Sequence, residues 1–146
     1  MNFEIKKKNY DPETIREKLE KIKADFIEIH QQNDMYFNVE NGFLKIRRSE
    51  NEPARLIQYF KNFSTGGMVS NYAMVSMRKT DRISAMLMRT HGIRARVQKK
   101  REIWHWNSIT IYVDEVNGVG HFIKFVVQDS DNNTQTRMIE QIDRLV

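Results

Sequence analysis

The 146-residue chain contains no cysteine, which excludes disulfides, thiolate metal sites and cysteine nucleophiles together. Its four histidines, His30, His91, His105 and His121, show neither H-x-x-H nor H-E-x-x-H spacing, so the pattern offers no histidine metal site. Ser64-Thr65-Gly66-Gly67 has the small residues of a phosphate loop but lacks its lysine and following helix, and reads as a flexible connection. No apolar run approaches a membrane span, and the N-terminus lacks the apolar core of a secretory signal. No block of like charge suggests a disordered tail. The expectation is a soluble cytoplasmic protein with no membrane association.

What is present is a basic chain with a net charge of +5 and 40% hydrophobic residues. That is enough apolar content for one core and little for two, so a single domain over residues 1–146 is expected. The charge favours an anionic partner: nucleic acid, a phosphorylated small molecule or a membrane surface.

Period-two alternation marks most of the chain as strand. Residues 2–8 alternate Phe3 and Ile5 against Glu4, Lys6 and Lys8. Asp11 is a good N-cap and Pro12 fits the first helical position, with Ile15, Leu19 and Ile22 forming an apolar stripe. Two short strands, broken around Gln31 to Asp34, lead to the Asn41-Gly42 turn and a strand over 43–48. Further strands are expected at 56–61 and 70–77, with a loop between them at 62–67. A second helix follows, with Ile83, Met86 and Leu87 on one face and Gly92 as its stop. Residues 97–127 read as three strands joined by tight turns, and Met138, Ile142 and Leu145 mark a last short helix. Eight or nine strands, three helices and no strand–helix alternation imply an α+β fold with an antiparallel sheet.

Five of these strands place lysine or arginine at alternating positions that share one face: Lys6 and Lys8, Lys45 and Arg47, Lys61, Lys99 and Arg101, and Lys124. Most basic strand residues are simply solvated. If the sheet closes on itself, the same residues instead line a basic tunnel, which a polyanion or water must fill. Asp114 shares the polar face of its strand with Tyr112 and Thr110, whereas Glu102 and Glu115 alternate out of phase and fall outside such a lumen. Trp104 and Trp106 could stack a base, but packing beneath a helix is their commoner fate. The methionines at 68, 74, 77, 86 and 88 read as filler around the second helix.

The stretches NFEIKKK, NDMYFNVENGFLKIRR, RLIQYFK, RVQKKRE and IYVDEVNGVGHFIKFVV, in this order and spacing, resemble the CYTH superfamily, in particular its class IV adenylate cyclase-like branch. The resemblance covers about residues 2 to 128. It implies an antiparallel eight-stranded barrel, closed or nearly so, whose tunnel holds a nucleoside or inorganic triphosphate, with basic residues clamping the phosphates and acids holding magnesium or manganese. By the same resemblance Lys6, Lys45, Arg47, Lys61, Lys99 and Arg101 take clamping positions, and Glu4 and Asp114 take acidic ones. Lys8 extends the clamp on its strand, and Tyr59 and Tyr112 are candidate contacts for a base.

The chain departs from the family where the last strand should carry E-x-E and instead has Lys124 and Val126, and where Arg and His are replaced by Thr110 and Tyr112. An ammonium at Lys124 would repel the metal and offer its donors to phosphate oxygens. Binding of a nucleotide or inorganic polyphosphate with weak or no turnover is therefore expected, with a weak metal site at Glu4 and Asp114. Two alternatives remain: a working magnesium- or manganese-dependent triphosphatase or adenylate cyclase, and a basic surface for RNA.

Overall fold

The computed structural model describes residues 1–8, 10–64, 66–128 and 131–145. Among them, eight strands and three helices follow in the order β1 (Asn2–Lys8), α1 (Pro12–Lys21), β2 (Asp25–Phe37), β3 (Phe43–Ser49), β4 (Arg55–Ser64), β5 (Gly67–Ser76), α2 (Thr80–His91), β6 (Ile93–Trp106), β7 (Ile109–Val116), β8 (Gly120–Gln128) and α3 (Asn132–Leu145). The strands close into an antiparallel barrel in the order β1-β5-β4-β3-β2-β6-β7-β8, with β8 returning to β1. Closure leaves no lateral edge and turns one face of every strand inward.

The apolar faces of β1, β7 and β8 point outward and pack against helices. Phe3 and Ile5 of β1, Ile109, Ile111 and Val113 of β7, and Ile123, Phe125 and Val127 of β8 form the main core with Ile15 and Leu19 of α1 and Met138 and Ile142 of α3. Trp104 lies in this core, with the Phe26 ring edge-on at 5.4 Å, and its indole donates to Glu102 at 2.8 Å. Glu102 also accepts from Arg16 at 3.0 Å, so an ion pair latches α1 to β6 outside the barrel. The N-cap of α1 is Asp11, whose carboxylate accepts from the Thr14 backbone N–H and hydroxyl, leaving Pro12 at the position where a missing N–H costs nothing. A smaller cluster of Phe37, Ile46 and Met77 seats Ile83 and Leu87 of α2 on the opposite wall.

Several expected boundaries shift. Gln31 to Asp34 is no break: β2 runs through it, paired with β6 on one side and, from Gln32, with β3 on the other. Backbone pairing on both edges overrides the turn preference of a polar tetrapeptide. Asn62, Phe63 and Ser64 belong to β4, and Gly66-Gly67 leads straight into β5; Thr65, in the middle of the rejected phosphate loop, lies outside the described residues. Gly67 sits where a Cβ would fall 2.5 Å from the Phe3 ring and 2.6 Å from the Glu4 carbonyl oxygen, so the approach of β5 to β1 that closes the barrel requires glycine there. The methionines do not share one role. Met77 is buried, but Met74 and Met86 are more than half exposed. On α2 the small Ser84, whose hydroxyl approaches the Met35 sulfur at 3.8 Å, takes the buried position instead of Met86.

Candidate functional site

The inward faces enclose a cavity of about 590 Å³ whose lining includes Glu4 and Lys6 of β1, Lys45 and Arg47 of β3, Lys61 of β4, Lys99 and Arg101 of β6, Tyr112 and Asp114 of β7, and Lys124 of β8. The period-two phase read from the sequence thus survives on five separate strands. Lys8 lies one step beyond Lys6 on β1, is exposed, and falls outside the lining. Arg94, at the start of β6, joins the lining and stands over the Phe43 ring at 5.6 Å. Eight cationic side chains thus face the cavity.

Against them stand three carboxylates, and each is held by cations. Asp114 accepts both guanidinium branches of Arg101, Nε and Nη2, at 2.8 Å each. Asp34, 3% exposed, accepts Arg47 Nε and Nη2 at 2.8 Å and Lys45 Nζ at 2.9 Å. Glu4 accepts from the Ser70 hydroxyl at 2.9 Å and the Tyr72 hydroxyl at 2.8 Å, and the ammoniums of Lys124 and Lys61 lie 3.2 and 3.7 Å from its oxygens. These are the short, bidentate or multiply donated pairs that a desolvated carboxylate needs. Lys99 and Lys6 differ: among the described residues neither has a carboxylate within ion-pair distance, and Lys6 rests over the Phe122 ring at 4.5 Å.

One wall is aromatic. Phe43, Tyr59 and Tyr72 are register neighbours on β3, β4 and β5, and Tyr59 stacks on Phe43 at 4.7 Å and on Tyr72 at 5.0 Å. The Tyr59 hydroxyl donates to Tyr36 at 3.2 Å, and Tyr36 also accepts from Lys45 at 3.1 Å. Tyr112 lies under the Arg101 guanidinium at 4.0 Å from its ring centre. The ring face of Tyr112 toward Arg101 and the stacking positions of Tyr59 are therefore engaged by the protein itself.

The electrostatics follow from burial plus crowding. Burial pushes Lys45 down to about 7, with Arg47 adding to the effect and Asp34 opposing it. Burial pushes Lys124 down to about 8, with Arg101 next in importance. Lys99 falls well below the ordinary lysine value through burial and then the nearby Arg101 and Arg47. Burial alone would raise the three carboxyls, yet the surrounding cations hold Asp34, Asp114 and Glu4 below the usual carboxylate range. The site is built with cationic charge in excess and poorly solvated, an arrangement suited to a multiply charged anion.

The sequence matches the CYTH domain family over residues 2–145. This chain belongs to that family. Among solved structures, a Pyrococcus furiosus protein superposes with a TM-score of 0.86 at 20% identity, covering 99% of this chain and 90% of that one. A Pyrococcus horikoshii protein gives 0.83 at 22%, with 99% and 89% covered. A Hippeastrum protein described as a candidate adenylyl cyclase with a dominant triphosphatase activity gives 0.72 at 14%, with 97% and 86% covered. No curated protein sequence matches the chain. At these identities the likeness to the solved structures is one of fold.

CYTH proteins typically use divalent metals, but the carboxylates of this barrel do not fit one. Magnesium takes near-octahedral oxygen coordination, commonly one or two carboxylates with water and phosphate. Here the Glu4 oxygens face two hydroxyl donors and two ammoniums, and both oxygens of Asp114 and of Asp34 are already bonded to cationic donors. Lys124, at 3.2 Å, is itself the nearest cation to Glu4 among the described residues.

Sequence reasoning missed Asp34, Tyr36, Tyr72 and Arg94. Asp34 was hidden in the polar tetrapeptide, and Arg94 precedes the expected start of its strand. Tyr72 was recoverable: it alternates in phase with Ser70 and Met74, but carries no charge to draw attention.

Proposed function

We propose that this CYTH barrel binds a linear polyphosphate or the triphosphate of a nucleotide directly through its side chains, without a metal ion and with little or no turnover. The observation that supports the reading is the Lys124–Glu4 contact of 3.2 Å: the side chain of a lysine stands where a metal would have to be held. Lys99 and Lys6, without carboxylate partners among the described residues, supply the first unsatisfied charge for an entering phosphate, with Arg47, Lys61 and Arg101 around them. Phosphoryl and nucleotidyl transfer draw their rate from charge stabilisation that strengthens in the transition state, commonly by metal ions. A clamp of fixed cations satisfied by the ground-state triphosphate lowers the energy of both states together.

The competing reading is a metal-dependent triphosphatase or adenylate cyclase, to which the Hippeastrum neighbour's triphosphatase activity lends support. Calorimetric titration with inorganic triphosphate and with ATP, in chelator and then in magnesium or manganese, separates the two. One-to-one binding in chelator, without release of phosphate or cyclic nucleotide on adding metal, is the expected result. Metal-dependent turnover lost on Glu4→Gln would replace the proposal with the enzymatic reading.

A further inference from the structure

Outside the cavity, at the end of the barrel where β2 begins, three metal-ligating side chains converge. The histidine among them is on the inner face: His30 is paired in register with Arg101, and directly opposed residues of antiparallel strands share a face. Glu28 precedes it by two on the same strand, and Glu52 comes from the β3–β4 turn, where Asn51 adopts a left-handed backbone (φ 61°) that asparagine tolerates. His30 Nε2 lies 2.8 Å from Glu28 Oε1 and 3.8 Å from Glu52 Oε1, and one ligand atom from each residue lies within 4.8 Å of the others.

We propose that Glu28, His30 and Glu52 form a binding site for a divalent cation of the zinc class. The two carboxylates are aimed at the same ring nitrogen, which can donate a single hydrogen bond or present a single lone pair. One of them is left without a donor from it, whatever the tautomer. A cation at their meeting point satisfies all three. Zinc ligands at about 2.0–2.2 Å in tetrahedral geometry stand roughly 3.3–3.6 Å apart, so the present separations need only small side-chain movements. The accessible side is open, because Glu28 is 51% and Glu52 33% exposed while His30 is 11% exposed, which leaves the fourth position to water. Imidazole with carboxylates favours zinc, cobalt or nickel over magnesium.

A separate observation stands beside the cluster. Gln32 is the next inward-facing residue on β2, 8% exposed, and its Oε1 is buried with no hydrogen-bond partner among the described residues. An orphaned buried carbonyl oxygen needs a donor, a water or a cation, and a hydrated ion at His30 supplies water at that end of the barrel. The only cation that an ion pair brings to the three, among the described residues, is Arg55, whose Nη2 lies 3.7 Å from Glu52 Oε2, the oxygen not turned to His30.

The site is independent of polyphosphate binding, and its test uses the metal alone. The full chain is titrated with Zn²⁺ by calorimetry and with Co²⁺ followed by visible absorption, and thermal unfolding is recorded with and without Zn²⁺. Expected are one saturable equivalent, tetrahedral-type Co²⁺ absorption, and a metal-induced rise in Tm. His30→Ala and Glu52→Gln should each weaken Zn²⁺ binding by at least the roughly tenfold lost with even an outer-shell partner, and should abolish the Tm rise. Glu52→Gln, in an exposed turn, keeps the test decisive if His30→Ala fails to fold. Absence of saturable Zn²⁺ binding, or equal affinity in the parent and Glu52→Gln, overturns the proposal.

Discussion

Replacing Lys124 by glutamate tests the electrostatic core of the tunnel. In the parent, Lys124 Nζ lies 3.2 Å from Glu4 Oε1, with its side chain 16% exposed. Coulomb's law at an effective dielectric constant of about 20 puts that attraction at about 5 kcal/mol before desolvation is charged against it. Lys124→Glu turns the attraction into repulsion between two carboxylates and removes one cation from the lumen. A phosphate oxygen at about 4 Å from the ammonium gains at most about 4 kcal/mol from it on the same scale; after screening and partial protonation of the paired acids, a net loss of about 1.5–3 kcal/mol remains, or roughly 10- to 100-fold in Kd. The assay is calorimetric titration of inorganic triphosphate in chelator and in magnesium, with Lys124→Gln as a control that removes the cation without adding an acid. Lys124→Gln should lose affinity in both buffers, whereas Lys124→Glu should lose most in chelator and regain part of it with magnesium, because Glu4 and the new carboxylate restore an oxygen site. Unchanged affinity of Lys124→Glu in chelator would show that Lys124 does not contact the anion, and the metal-free clamp would fall with it.

The remaining expectations rest on separate features. Lys99→Met should leave the free protein as stable or more stable, by chemical denaturation, while weakening triphosphate binding at least about tenfold, because Lys99 is a desolvated ammonium with no carboxylate partner among the described residues. Lys45 at about 7 and Lys124 at about 8 both titrate below their unfolded value of 10.5, so between about pH 7 and 10 the unfolded chain binds more protons and their contribution to stability rises with pH. Triphosphate affinity should move oppositely, falling from pH 7 to 9 with measurable proton uptake on binding; pH-independent affinity without proton uptake would contradict the protonation states argued for the lumen. Ile142→Ala, at a fully buried position of α3, should cost about 2–5 kcal/mol in urea unfolding, and a cost below 1 kcal/mol would mean that α3 does not seal the outer core.

What could be read from the sequence was what alternation encodes. A strand face is fixed by parity, so Lys45 with Arg47 and Lys99 with Arg101 had to point together, and closure alone decided that together meant inward. The same parity placed Glu102 outside, where it proved to be the latch between Arg16 and Trp104. Parity says nothing about strand length. Asp34 was lost because Gln31 to Asp34 has no apolar residue to carry the alternation, yet its carboxylate accepts three charge-assisted hydrogen bonds from Lys45 and Arg47. On α2 the apolar pattern chose Met86 over Ser84, since hydropathy ignores the advantage of a small side chain where a helix approaches a strand closely. The convergence of Glu28, His30 and Glu52 was illegible for a different reason: Glu52 reaches β2 only through the fold of a turn, and no spacing rule covers a ligand set divided in that way.

The cationic excess also bears on what the barrel can do. The eight cations facing the cavity repel one another in the free protein, and the lowered values of Lys45, Lys99 and Lys124 follow from burial first and from that repulsion second. Folding has already oriented these groups and buried Lys45 and Arg101 among them, so on the proposed reading an arriving polyanion meets a preorganised site. The affinity gained is a ground-state quantity. To accelerate phosphoryl transfer, some charge in the site would have to respond more strongly to the transition state than to the triphosphate itself. The carboxylates that could bring in such a charge, as a metal ion, are already neutralised by Arg101, Arg47, Lys45 and Lys124. On the proposed reading, metal-assisted catalysis would require releasing a carboxylate, and Lys124 is the residue whose removal loosens one without breaking a bidentate arginine pair.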